Sequence, residues 1–130
     1  MRVVFDTNVL ISALVFPGKQ ADLALNRAID GRDELLMSRA ILDELLTVLA
    51  RKFSRDREQL SRLAVWLSDL ATWITPTTHI SQLANEPDNR ILECAITGKA
   101  EAIVTGDGEL LALGKFEGIP ILTLREYLSI

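Results

Sequence analysis

The 130-residue chain contains one cysteine and one histidine. Cys94 alone cannot close an internal disulfide, and within the apolar stretch ILECAI it reads as a buried structural thiol. His79 lies in a different segment, so no Cys/His arrangement for nucleophilic catalysis is evident. With no CxxC pair and no second histidine, a zinc site lacks its usual ligands. Any metal in this chain is therefore expected to be held by oxygen. Glycine-rich phosphate loops of the P-loop or dinucleotide type are absent. No apolar run approaches the roughly 20 residues of a membrane span, and the amino terminus has no basic segment followed by a cleavage site. A cytoplasmic protein without a membrane partner is the expectation. Positive charge is not in excess either: 14 basic against 18 acidic residues leave a net charge of -4. That balance gives no global electrostatic footprint for nucleic acid. Distribution matters more than the sum, and basic residues concentrate in ARKFSRDREQLSR, which includes Arg51, Lys52, Arg55, Arg57 and Arg62.

What is present is the composition of an ordinary globular domain, 48% hydrophobic and 25% charged. A single domain over residues 1–130 is expected, large enough to bury roughly two thirds of its unfolded surface. Val3 to Phe5 read as a short buried strand, followed by a helix over Asn8 to Val15 that Phe16, Pro17 and Gly18 break. A second helix is expected from Ala21 to Ile29 and a second strand from Glu34 to Met37. RAILDELLTVLARK carries apolar residues at three-to-four spacing and is a helix, as is Asp56 to Ala71. A strand over Thr72 to Thr75, stopped by Pro76, leads into the polar connection TTHISQLANEP. A helix then runs from Asp88 to Thr97, a fourth strand from Ala102 to Thr105, and a short apolar helix follows Gly108. Pro120 to Thr123 make a fifth strand and Arg125 to Leu128 a last helical turn. Short apolar strands alternating with helices predict an α/β fold, a mostly parallel sheet of about five strands with helices on both faces.

Four acids on this scaffold do not behave as plain solvated charges. Asp6 ends the first strand in VVFDTN, where it also suits a helix N-cap. Glu44 has Ile41 and Val48 at i-3 and i+4, which places it beside the apolar stripe of its helix, while neighbouring Asp43 points elsewhere. Asp88 opens a helix with Ile91 and Leu92 at i+3 and i+4, and serves equally as a cap and dipole partner. Asp107 repeats the pattern of Asp6 after the strand AIVT. Each has a structural explanation alone, but positions beyond the carboxyl ends of strands in a doubly wound sheet converge on one crevice. Several carboxylates there require raised pKa values or a cation. Mg²⁺ or Mn²⁺ suits such oxygen donors, and the chemistry this serves is phosphodiester hydrolysis. Asn8, Ser12 and Thr105 are placed either to orient the acids or to bond the local backbone. Glu93 could lie at the edge of the same cleft.

The opening VVFDTNVLIS, the glutamate within RAILDELLTVL, the block EPDNRILECAITGKAEAIVTGDGELL and the closing GIPILTLREYL together resemble the PIN domain family, in its toxin-like branch. The resemblance implies a three-layer α/β/α fold, magnesium- or manganese-dependent ribonuclease activity, a homodimer, and a cognate antitoxin that holds the toxin inactive. It also implies that Asp6, Glu44, Asp88 and Asp107 form the family's acidic quartet, with Asn8, Ser12 and Thr105 around it. Related sequences often carry a further acid just before the DN pair, where this chain has Glu86-Pro87-Asp88, so Glu86 or Glu93 is a possible assistant to the metal. Because the site is acidic, RNA must be attracted by other residues, and the candidates are Lys19, Arg27 and Arg39, or the Arg51–Arg62 cluster across a dimer. An aspartyl-nucleophile phosphatase would want a second Asp where Asn8 stands. A non-catalytic RNA-binding or regulatory module is the remaining alternative, and it predicts RNA retention without turnover.

Overall fold

Three apolar runs, Val3-Val4-Phe5, Leu35-Leu36-Met37 and Ala102-Ile103-Val104, have every residue at most 1% exposed. Runs with no polar alternation are what a parallel sheet covered on its faces demands. In the computed structural model, which describes residues 1–130, they form the middle of a six-stranded sheet. The strands are β1 (Arg2–Phe5), β2 (Glu34–Met37), β3 (Thr72–Trp73), β4 (Ala102–Val104), β5 (Lys115–Phe116) and β6 (Ile119–Leu122). Their order is β3-β2-β1-β4-β6-β5, with every pairing parallel except β5 with β6. Around the sheet pack α1 (Thr7–Val15), α2 (Gln20–Ile29), α3 (Arg39–Lys52), α4 (Arg57–Leu70), α5 (Glu86–Gly98), α6 (Gly108–Leu113) and α7 (Leu124–Leu128).

The α/β class and its parallel sheet are as expected, with two corrections. The sheet has six strands rather than about five. Lys115–Phe116 turns back on Ile119–Leu122 through Glu117 and Gly118, both at positive φ (49° and 83°). That is the backbone of a two-residue hairpin turn, but Glu at its first position and Pro120 inside the strand hide it in the sequence. The second correction concerns α5, which begins at Glu86 rather than Asp88. Asn85 is the N-cap, its side chain accepting from the Asp88 amide at 3.2 Å. Pro87 stands in the first turn, where its missing N–H costs nothing.

Strand order positions the site. After β1 the chain builds outward through β2 to β3; α5 then carries it back across β2 and β1, which it touches, to place β4 on the other side of β1. The order reverses between β1 and β4, and the crevice beyond their carboxyl ends is where open α/β sheets bind ligands.

Candidate functional site

Asp6 is the first residue past β1, and its amide still bonds Val104 O at 3.1 Å, so the carboxylate stands at the mouth of the β1/β4 crevice. Both oxygens are engaged. One caps α1 by accepting from the Val9 amide at 2.8 Å, and the other accepts the Thr105 hydroxyl. Thr105 is fully buried just past β4, and its Oγ1 also accepts from the Asp107 amide at 2.9 Å. One hydroxyl thus ties the two strand-end acids together. Asp107 caps α6 through Leu110 N at 3.0 Å. The cap reading and the convergence reading of Asp6 and Asp107 are therefore compatible: the cap fixes the rotamer and the strand end fixes the place.

Asp88 faces the same crevice from the first turn of α5. Its Oδ2 is buried and has no hydrogen-bond partner. Desolvation first, then the charges of Asp107 and Asp6, push its carboxyl up to about 6. Burial likewise raises Asp6, against the opposing pull of its Thr105 and Val9 hydrogen bonds and with Asp107 adding to the rise. A buried acceptor left unsatisfied costs free energy, and like charges nearby disfavour the ionised form of each carboxylate. Glu44, half-buried on α3, completes the set. A cleft of about 110 Å³ is lined by all four acids together with Thr7, Asn8 and Asn85, over a floor of Val48, Pro87 and Ile91. The four side chains share this cleft, although no three of them are drawn into a ligand cage. Thr7, Glu44 and Pro87 also border a wider hollow of about 350 Å³ between α3 and α5, which adds Thr47, Glu86 and Arg90.

The residues expected around the acids divide. Asn8 and Thr105 are at the cleft. Ser12 is not: four residues carry it about 6 Å along the helix axis, into a separate hollow beside Phe16, Lys19 and Leu124. Glu93 is also turned away. Five residues on from Asp88 it points about 140° round the helix, where it is buried accepting from Arg90 and from Ile80 N, each at 2.8 Å. Glu86 borders the wider hollow and accepts from Arg90 and Asn89, each at 3.2 Å. Among the basic candidates, Arg27 is not available to a substrate. It donates to Tyr127 O at 3.1 Å and Leu128 O at 3.0 Å and lies over the Tyr127 ring. Arg39 is exposed and pairs with Asp43 at 3.1 Å. Cys94 is buried as expected, its thiol pushed up to about 12 by desolvation.

Sequence reasoning missed Asn89. It is fully buried and mimics a strand partner for Leu83, donating to its carbonyl at 2.8 Å and accepting from its amide at 2.9 Å. Glu93, Arg90 and Thr97 bond the backbone at Ile80 and Thr77, so one face of α5 holds the connection before it. An amide side chain between Asp88 and the apolar Ile91 and Leu92 was the available signal.

In an α/β protein with a mostly parallel sheet, a cleft of acids at the switch point lies where such folds bind their ligands. Comparison with known proteins makes this particular. The family described as PIN domain matches residues 2–109, and an uncharacterized protein of Methanocaldococcus jannaschii is 31% identical over 117 residues, covering 87% of this chain and 75% of its own length. The chain belongs to the PIN domain family. Its fold also matches a chain in the crystal structure of VapBC2 from Rickettsia felis bound to a DNA fragment from their promoter, with a TM-score of 0.66 and 17% identity over 95% of this chain and 98% of that one. At that identity the likeness is one of fold.

Proposed function

We propose that this chain is a divalent-metal-dependent endoribonuclease and the toxin of a toxin–antitoxin pair. The observation that carries the reading is the meeting of Asp6, Glu44, Asp88 and Asp107 in one cleft, with a buried Asp88 oxygen that no protein donor satisfies. The donor set fits Mg²⁺ or Mn²⁺. It consists of hard oxygens without histidine or thiolate, and the raised Asp88 carboxyl marks where positive charge is missing. Asp6, Asp88 and Asp107 would hold the ion. When bound, it supplies Lewis-acid polarisation of a phosphoryl oxygen and a nucleophilic water at neutral pH.

The chain's own residues do the rest. Thr105 fixes the Asp6 carboxylate and the Asp107 backbone at once, so the two acids keep their spacing while RNA enters and leaves. Glu44, on the opposite wall, is placed as a further ligand or to accept a proton from the attacking water at its carboxylate. Asn85 and Asn89 hold the first turn of α5 and so aim Asp88. Membership of the PIN domain family supports nuclease chemistry, and the VapBC2 fold match supports an antitoxin as partner. A homodimer and a cytoplasmic location belong to the same reading; no helix is long and apolar enough to cross a membrane.

Labelled RNA incubated with the purified chain in Mg²⁺, in Mn²⁺ and in chelator tests this. Cleavage is expected with either ion, is expected to stop in chelator, and is expected to be lost in Asp6→Asn. Cleavage that persists in chelator overturns the metal reading. RNA that is bound but never cut supports the non-catalytic module instead.

A further inference from the structure

Five of this chain's 14 cations are already engaged. Arg2 pairs with Glu34, Arg39 with Asp43, Arg62 with Glu58 and Arg90 with Glu86 and Glu93, while Arg27 is spent on the Tyr127 and Leu128 carbonyls. Arg51, Lys52, Arg55 and Arg57 have no such partner, and they gather at one corner. Helix α3 ends at Lys52, and Ser54 adopts a left-handed backbone (φ 51°) that turns the chain back. The Arg55 amide then bonds Leu49 O at 3.2 Å before α4 starts at Arg57. The one acid within this stretch, Asp56, is occupied in capping α4 through Gln59 N at 2.8 Å.

The corner is in line with the cleft. Glu44 and Arg51 are seven residues apart on α3, hence on one helix face and about 10 Å apart along its axis. Between them Val48 floors the cleft and Thr47 borders the wider hollow. Arg55, half-buried, reaches over Leu49 toward Leu14 near the far end of α1. Along α3 the acidic cleft at Glu44 and Val48 is thus followed by unpaired cations at the helix end, beside a separate small hollow lined by Leu14, Leu49 and Arg55. In a chain of net charge -4, this arrangement repels phosphates along the acidic walls and attracts them at one exit.

We propose that Arg51 and Arg55, assisted by Lys52 and Arg57, form the phosphate-binding end of a single-stranded RNA track that runs from the acidic cleft along α3 to its carboxyl end. This rests on the ribonuclease reading above. Counterion release gives binding to single strands a logarithmic salt slope of about 0.7 per phosphate neutralised.

The test measures fluorescence anisotropy of a labelled single-stranded oligoribonucleotide in chelator, so that no cleavage intervenes, across a series of salt concentrations. The variant Arg51→Gln/Arg55→Gln is expected to bind on the order of tenfold more weakly at low salt, with a slope shallower by about 1.4 for two lost contacts. The control Arg32→Gln/Lys99→Gln removes equal charge from the opposite, amino-terminal edge of the sheet, and is expected to bind like the wild type. Circular dichroism melts of both variants report whether the fold is kept. Equal RNA binding by the two variants overturns the track. So does RNA binding that is unchanged while binding of a polyglutamate probe is lost, which assigns the corner to an acidic protein segment. Failure of the ribonuclease reading appears separately, as absence of Mg²⁺-dependent cleavage in the wild type.

Discussion

Asp88 shows how a single residue can carry a cleft's electrostatics. Desolvation and the charges of Asp107 and Asp6 raise its carboxyl from 3.8 to about 6, and Asp6 is raised in the same direction. An acid whose folded value exceeds its unfolded one binds protons more tightly in the folded state. Stability is therefore greatest below both values and falls as pH rises between them. Without metal, the protein is expected to melt at a higher temperature near pH 5 than at neutral pH, and Asp88→Asn should flatten that difference. Glu34 acts with the opposite sign, because the Thr72 hydroxyl and Arg2 lower its carboxyl, but its contribution is lost only below its unfolded value of 4.5 and leaves this window untouched. Thermal melts in chelator at the two pH values decide it; a midpoint that climbs with pH contradicts the assignment. At this scale the sequence was partly legible. Asp6 and Asp107 could be placed because they directly follow apolar strands. Thr105 could be named as a residue placed to orient an acid, because it precedes Asp107 by two, but its bond to Asp6 could not be read, since that contact spans 99 positions.

Among the elements, α5 does the most for the site. One face buries Ile91, Leu92 and Ala95 in the core, its first turn presents Asp88, and its remaining polar side chains bond the segment that precedes it. Asn89→Leu keeps the branched shape but adds volume at a fully buried site and leaves the part-buried Leu83 amide and carbonyl without partners, a combined cost on the order of 1–3 kcal/mol. Denaturant unfolding should show the loss, and hydrogen exchange should show the Leu83 amide opening faster than the core amides of β1. If that amide exchanges at its wild-type rate, Asn89 is not the clamp described. The helices themselves were legible in the periodicity of their apolar residues, and α3 to the residue. The start of α5 was not, because Asn85 lies in a polar stretch where any of several residues could cap. The same limit explains Glu93, whose burial depends on what the connection does at Ile80 rather than on the helix pattern.

For the whole molecule, the decisive feature is the order of strands. Asp6, Glu44, Asp88 and Asp107 are spread over a hundred positions, and only the reversal of direction at β1, with β2 on one side and β4 on the other, brings them to one crevice. Alternation of strands and helices predicted a parallel sheet, but strand order is a matter of long-range pairing that local pattern does not encode. The convergence was inferred from the general behaviour of such sheets; all four acids line the one cleft, and their role there is a proposal. The same architecture separates charge, with acids at the switch point and unpaired cations two helical turns away.

The central claim is that these acids act together through an ion, and the measurement closest to it is the initial rate of RNA cleavage as a function of Mn²⁺ concentration in the wild type and in Asp107→Asn. A saturable rise with Mn²⁺ is expected in the wild type, with a fall on the order of a hundredfold or more in the variant. A wild-type rate independent of Mn²⁺, or an Asp107→Asn rate equal to it, would contradict the account.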